Sequence, residues 1–200
     1  MKSIQPCFCG SNGDFSSCCQ PYITKEVPVQ TAEQLMRSRF SAYTLGNAQY
    51  IYDTYAKSSQ VAQSVKEIND WSQSCAWIAL KIHPSANSVS SANSVSSANK
   101  ATEQFVEFSA FYITDDTLCE LREKSRFILE ENTIVNTTAN TVTIASTIDV
   151  PLKQWRYIDG DIIAHNELAN IKRNMLCPCN EYPTTWKIKK GKKYKQCCGK

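Results

Sequence analysis

The sequence predicts an α+β fold: helices packed on a curved antiparallel sheet, cone-like in shape, with a small cysteine-rich knuckle at each terminus. Three observations predict it. The hydrophobic period is near 3.6 between Thr31 and Trp71 and changes to 2 from Cys75 onward, so helices precede strands instead of alternating with them. Eight of the ten cysteines fall in two terminal clusters, outside the stretches that carry either period. A length of 200 residues with 42% hydrophobic residues suits one main core with small appendages.

Taken in order, residues 1–22 form the first knuckle, and a connector follows from Lys25 to Gln30 with Pro28 inside it. "TAEQLMRSRFSAYTLG" reads as a helix: Thr31 and Gln34 make a capping box, Gly46 is the stop, and Leu35, Met36, Phe40 and Tyr43 recur at helical spacing. Asn47 can cap a second helix carrying Tyr50, Ile51 and Tyr55. A third starts at Ser64, with Glu67 three residues on, and carries Ile68 and Trp71. Strands are expected over 75–83, 103–113, 118–129, 141–150 and 155–163, the third losing its alternation at Ser125. The middle domain therefore spans 31–165. It is interrupted by the repeat "SANSVSSANSVSSAN" over 85–99, a small polar loop, and by a Thr/Asn-rich insertion near 132–154 with the β-propensity to lengthen a hairpin. Residues 172–200 form the second knuckle, with an insertion at 180–190.

The charge is unevenly placed. From Lys172 onward there are nine Lys/Arg and one acid, Glu181, whereas the rest carries thirteen bases and eighteen acids. A mildly acidic body thus wears a basic, anion-seeking tail. The N-terminus reaches Cys7 without an apolar run, and no stretch approaches the roughly 18 apolar residues of a membrane span, so the expected location is cytoplasmic.

In a reducing compartment, clustered cysteines favour metal binding or redox chemistry over structural bridges. The first cluster is Cys7-x-Cys9 followed by Cys18-Cys19, and the second is Cys177-x-Cys179 followed by Cys197-Cys198. Four thiolates suit a tetrahedral zinc ion, and a segment too short to bury a core can be held together by ligation. A bond between adjacent cysteines closes a strained ring, and no Cys-x-x-Cys redox motif is present. Zinc is the default cofactor, two ions in all; iron also accepts four thiolates. Cys75 and Cys119 lie in apolar runs and read as buried core thiols.

"CFCGSNGDFSSCC" resembles the SEC-C motif, the zinc knuckle at the C-terminus of the translocation ATPase SecA. The resemblance implies Cys7, Cys9, Cys18 and Cys19 as one ligand set. "CPC" and "GKKYKQCCGK" match the same motif in two pieces, which implies Cys177, Cys179, Cys197 and Cys198 as the other, with "NEYPTTWKIKK" between them. Further inward, "LMRSRFSAY" (35–43), "EKSRF" (123–127) and "WRYIDGD" (155–161) resemble the YchJ family, whose members place a SEC-C knuckle at each end of a nuclear-transport-factor-like cone. This chain departs from that family at Thr54-Tyr55-Ala56-Lys57, where relatives tend to carry Thr-Trp-His-Pro. The resemblance implies a protein-docking adaptor of secretion, chaperone or ribosome-associated machinery.

Two rival readings stand beside it. One is a small-molecule enzyme or ligand binder using the cone, for which Arg37, Arg39, Tyr43, Asp53, Tyr55 and His83 are the candidate groups; no catalytic set is assigned among them. Asp53 with Tyr43 or Tyr55 could supply an acid–base pair, while Arg37 and Arg39 could instead pair with Glu120 or Glu123. Convergent buried polar groups would favour this reading and a filled, apolar cone a scaffold. The other is weak, non-specific RNA binding by "WKIKKGKKYK", lysines on phosphate and Trp186 and Tyr194 on bases. His83 is expected in a surface or turn role and His165 in a linker after the last strand.

Overall fold

The computed structural model describes residues 5–84, 102–131, 153–182 and 191–199. Among them, five helices and four strands follow one another: α1 (Gln20–Ile23), α2 (Ala32–Leu45), α3 (Ala48–Asp53), α4 (Lys57–Gln60), α5 (Val65–Ser74), β1 (Ala76–Ile82), β2 (Glu103–Thr114), β3 (Thr117–Glu131) and β4 (Lys153–Asn170). The strands form one antiparallel sheet in the order β1-β2-β3-β4. The 85–99 repeat, most of the 132–154 insertion and the strand expected over 141–150 lie outside the described residues.

The three helix caps form as the sequence requires. The Thr31 side chain accepts from the Gln34 N–H at 3.1 Å, Asn47 accepts from Tyr50 at 3.0 Å, and Ser64 accepts from Glu67 at 3.4 Å. Gly46 closes α2 in the left-handed conformation, with φ of 69°. α3 ends at Asp53, two residues short of Tyr55, so Tyr55 is not helical but forms an isolated bridge with Tyr157. That bridge ties the helical layer to β4, reinforced by Ala56 N–H donating to Tyr157 O at 2.7 Å and Tyr157 N–H to Thr54 O at 2.9 Å.

β2 and β3 are joined by the two-residue turn Asp115–Asp116, both at positive φ (47° and 56°), the handedness a tight hairpin needs. Register shifts at Trp77/Ala79, Leu118/Cys119, Arg122/Glu123 and Arg126/Phe127 bend the long strands and curve the sheet. Alternation in β3 does not slip at Ser125: Cys119, Glu123, Ser125 and Phe127 are all buried, and Ser125 is simply a small polar residue on the inner face. β4 also runs past the expected 163 to Asn170, so His165 lies in a strand, not a linker, and shares a hydrogen bond of 2.6 Å with the Tyr112 hydroxyl.

The two faces of the sheet have different partners. On the inner face, Trp77, Phe108, Tyr112, Phe127 and Trp155 pack with Leu35, Met36 and Phe40 of α2. On the outer face, Ile78, Ala79, Ile113 and Leu118 pack with Ile171, Cys177, Cys179 and Tyr194. A third cluster, Ala42, Ala48, Tyr50, Ile51 and Ile68, joins α2, α3 and α5. The Trp155 indole donates to Gln30 O at 3.0 Å and pins the connector to the sheet.

Candidate functional site

The N-terminal cysteines sit on a tight loop followed by a single 3-10 turn. Cys7 N–H donates to Gly13 O at 2.8 Å and Gly10 N–H to Cys7 O at 3.2 Å, with Gly10 at φ of 73° where a side chain would be strained. The loop closes through the Pro6–Asp14 bridge, and the turn Phe15–Ser17 then delivers Cys18 and Cys19. The four Sγ atoms all lie within 4.8 Å of one another. Cys9 and Cys18 are 3.7 Å apart at sulfur, and Cys18 and Cys19 are 3.9 Å apart. A tetrahedron of sulfurs about a zinc ion at about 2.3 Å has S···S edges of about 3.8 Å. A disulfide would need about 2.05 Å, and none joins any of the ten cysteines. The knuckle seats on α2, where Arg37 donates to Cys9 O at 3.3 Å and Cys7 Sγ lies 3.9 Å from Ser41 Oγ.

The C-terminal cysteines repeat this plan in spite of the insertion. Cys177 N–H donates to Lys192 O at 3.0 Å, Leu176 bridges Lys193, and the 3-10 turn Tyr194–Gln196 delivers Cys197 and Cys198. Lys192 thus takes the place of Gly13 and Tyr194 that of Phe15. Asn180 staples the two pieces: its Nδ2 donates to Cys177 O at 2.7 Å, and its Oδ1 accepts from Gly191 N–H at 2.6 Å. The described residues on either side of the insertion are thus joined directly, Asn180 to Gly191. Again the four Sγ atoms lie within 4.8 Å of one another, with Cys179···Cys197 at 3.5 Å and Cys197···Cys198 at 3.8 Å. Tyr194 anchors this knuckle to the outer face, and its ring fills the space a Cβ on Gly199 would need, 2.6 Å away. Both cysteine clusters could hold a metal ion.

The electrostatics of the thiols agree with that capacity. In the first cluster, hydrogen bonds from Cys19 and Cys7 hold Cys9 far below the ordinary thiol range. Cys19 is pushed far up by its hydrogen bonds with Cys7 and Cys9 and by burial. Cys7 is pulled down by Cys19, but Cys9 and burial outweigh this and raise it to about 12. In the second cluster, the Cys198 hydrogen bond and burial push Cys179 far up, and burial raises Cys197 to about 11. One thiolate suppresses its neighbours when nothing positive sits among them; a divalent cation reverses that preference and deprotonates coordinating thiols.

Between the helices and the inner face lies a cavity of about 140 Å³. Arg39, Tyr43, Tyr55, Glu123, Ser125 and Tyr157 bring polar groups to it, and Met36, Phe40, Trp71, Trp77 and Phe108 supply apolar walls. The cone is neither filled nor wholly apolar. Glu123 Oε1 accepts from Ser125 Oγ at 2.6 Å and from the Tyr157 hydroxyl at 3.0 Å. Its carboxylate lies over Gly160, where a Cβ would come within 2.1 Å of Oε1. Burial holds the Tyr43 and Tyr157 phenols well above their ordinary value.

The other candidates fall outside this cavity. Arg37 pairs with Glu33 at 2.8 Å, and neither Arg37 nor Arg39 is ion-paired with Glu120 or Glu123. Asp53 does not face Tyr43 or Tyr55 in the cone; it pairs with Lys25 at 2.7 Å and accepts from Gln49 at 2.7 Å. His83 shares a hydrogen bond of 2.8 Å with Ser109 at the end of β1. Cys75 and Cys119 are buried thiols, both raised by desolvation. Sequence reasoning missed Glu123, Ser125 and Tyr157 as cavity groups. The signal for Glu123 was Gly160, because a glycine inside a strand marks a place where something approaches closely.

A curved-sheet α+β domain with cysteine clusters packed on both sides defines a protein of the SEC-C-containing, nuclear-transport-factor-like class. Residues 31–139 match the family model described as "YchJ, middle NTF2-like domain". A UPF0225 protein of Vibrio cholerae serotype O1 is 32% identical over 193 residues, covering 96% of this chain and 99% of its own length. Another from Photorhabdus laumondii is 31% identical, covering 96% and 98%. A crystal structure of a SEC-C motif containing protein from Psychrobacter arcticus superposes with a TM-score of 0.59 at 25% identity, over 98% of this chain and 97% of that one. A solution structure of a SEC-C motif containing protein from Rhodopseudomonas palustris shares the fold, with a TM-score of 0.57 at 21% identity over 80% and 99%. The chain belongs to the YchJ family, and the Vibrio cholerae and Photorhabdus laumondii relatives carry the UPF0225 designation.

Proposed function

We propose that this protein is a metal-stapled adaptor of the cytoplasm. Cys7, Cys9, Cys18 and Cys19 hold one zinc ion, and Cys177, Cys179, Cys197 and Cys198 hold a second. The observation that carries the reading is the spacing of the sulfurs, two sets of four within 4.8 Å with neighbouring pairs 3.5 to 3.9 Å apart. The ions supply no reaction step. Each cross-links a loop to a 3-10 turn and fixes a knuckle that has little core of its own. The C-terminal knuckle then docks an acidic protein surface. In support, Lys172, Arg173, Lys192, Lys193 and Lys195 are exposed around the exposed side chains of Met175 and Leu176, a basic rim about an apolar step. Zinc-edge X-ray absorption on the purified protein tests the ligation. Four sulfurs at about 2.3 Å are expected, and a first shell of nitrogen and oxygen would refute it.

A second reading concerns the cone, and the convergent polar groups of buried Arg39, buried Glu123 and half-buried Tyr157 favour it: the cavity is a small-molecule site. Among the described residues no helix is long and apolar enough to cross a membrane.

A further inference from the structure

Two opposite charges are buried at the cone cavity, and neither is in an ion pair among the described residues. Arg39 is 4% exposed and Glu123 8%. Burying a charge without a partner is strongly destabilising, so each needs its remaining bonds made. Those bonds are only half made. Arg39 Nη1 donates to Ile51 O at 2.8 Å and to Thr54 Oγ1 at 2.7 Å, while Nε and Nη2 have no acceptor among the described residues. Glu123 Oε1 takes both donors that reach the carboxylate, and Oε2 has none among the described residues.

Tyr157 sets the two charges apart at a fixed spacing. Its ring lies 4.7 Å from the Arg39 guanidinium carbon, with the Tyr55 ring at 4.5 Å, and its hydroxyl holds Glu123. The guanidinium is thus oriented by stacking and the carboxylate by hydrogen bonds, and both line one cavity. The cavity carries one positive and one negative charge. A lone cation or a lone anion entering it would leave a net charge buried, whereas a ligand with both charges would leave none.

We propose that the cone cavity binds a small zwitterion of the amino-acid class, its carboxylate on the open edge of Arg39 and its ammonium on Glu123. The proposal rests on the second reading above, that the cavity is a small-molecule site. The ligand is small. The cavity is about 140 Å³, close to the roughly 150 Å³ engineered cavity that accepts benzene, so about six non-hydrogen atoms fit. Trp71, Trp77 and Phe108 take its apolar part, and Trp71, 39% exposed, stands at the rim.

The test is a titration of the full-length protein with glycine, L-alanine and β-alanine, beside ethylamine, propionate and propionamide as probes with one charge or none. Tryptophan fluorescence reads it, because Trp71 and Trp77 line the cavity, and calorimetry checks it. The expected result is saturable binding of at least one zwitterion, at least about tenfold tighter than ethylamine or propionate, which one lost charge-assisted bond supports. Glu123→Gln should abolish that preference while leaving propionate binding in place. The wild-type comparison stands without any variant, so a misfolded substitution leaves it decisive. A one-charge probe binding as well as every zwitterion would overturn the ligand class and leave the cavity reading intact. Silence from all six probes would overturn both.

Discussion

Glu123 is a carboxylate on the buried face of a strand, held by Ser125 and Tyr157, with its bulk resting on a glycine of the neighbouring strand. Gly160→Ala should therefore push the carboxylate out of its place and leave Ser125 and Tyr157 without their acceptor. A loss of about 1–3 kcal/mol in chemical denaturation is expected, the usual penalty for unsatisfied buried polar groups. A neutral Gly160→Ala would mean that the carboxylate has room to move. His83 gives a pH-dependent test. Burial, then Arg122 and Lys81, lower its pKa, and Glu107 and Glu120 oppose them only in part. A histidine that protonates less readily when folded costs stability as pH falls. The thermal midpoint should hold steady above about pH 6.5 and decline below it through this group. His83→Gln should flatten that part of the profile, and an unchanged slope would assign it to other groups. Residue identity alone could not place these side chains. Glu123 is named in the sequence only as a partner for Arg37 or Arg39, because the groups that hold it, Tyr157 and Gly160, lie more than thirty residues away.

Among the elements, the parts legible in the sequence are those fixed by neighbours in the chain. The caps at Thr31, Asn47 and Ser64 and the stop at Gly46 all form where the residues demand them. Thr31→Ala should cost about 1 kcal/mol in a denaturant melt, since Gln34 N–H then loses its acceptor at the start of the helix that seats the first knuckle. A cost near zero would show that the reciprocal bond from Gln30 N–H to the Gln34 side chain suffices. What the sequence conceals is non-local. The far end of β4, "HNELAN", carries no buried alternation and exists because Thr117 to Leu121 of β3 pair with it. Tyr55 leaves its helix early because Tyr157 offers a bridge. The C-terminal knuckle is matched in two pieces around "NEYPTTWKIKK", and Asn180, bonded to Cys177 and Gly191, joins them. Local spacing shows the cysteines but not the staple that makes their spacing workable.

At the scale of the whole molecule, the two knuckles stand on different sides of the sheet. The first packs with α2 and the inner-face core, the second against the outer face through Tyr194, Cys177 and Cys179. A single domain thus presents two separate small surfaces, the second rimmed by exposed lysines. In the proposed function each cluster of four cysteines binds its own ion. Elemental analysis of the purified full-length protein, beside Cys18→Ser/Cys19→Ser and Cys197→Ser/Cys198→Ser variants, tests it most directly. About two zinc ions per chain are expected, falling to about one in either variant because the sites share no ligand. A wild-type protein without metal, or one whose metal content is indifferent to Cys197 and Cys198, would contradict it.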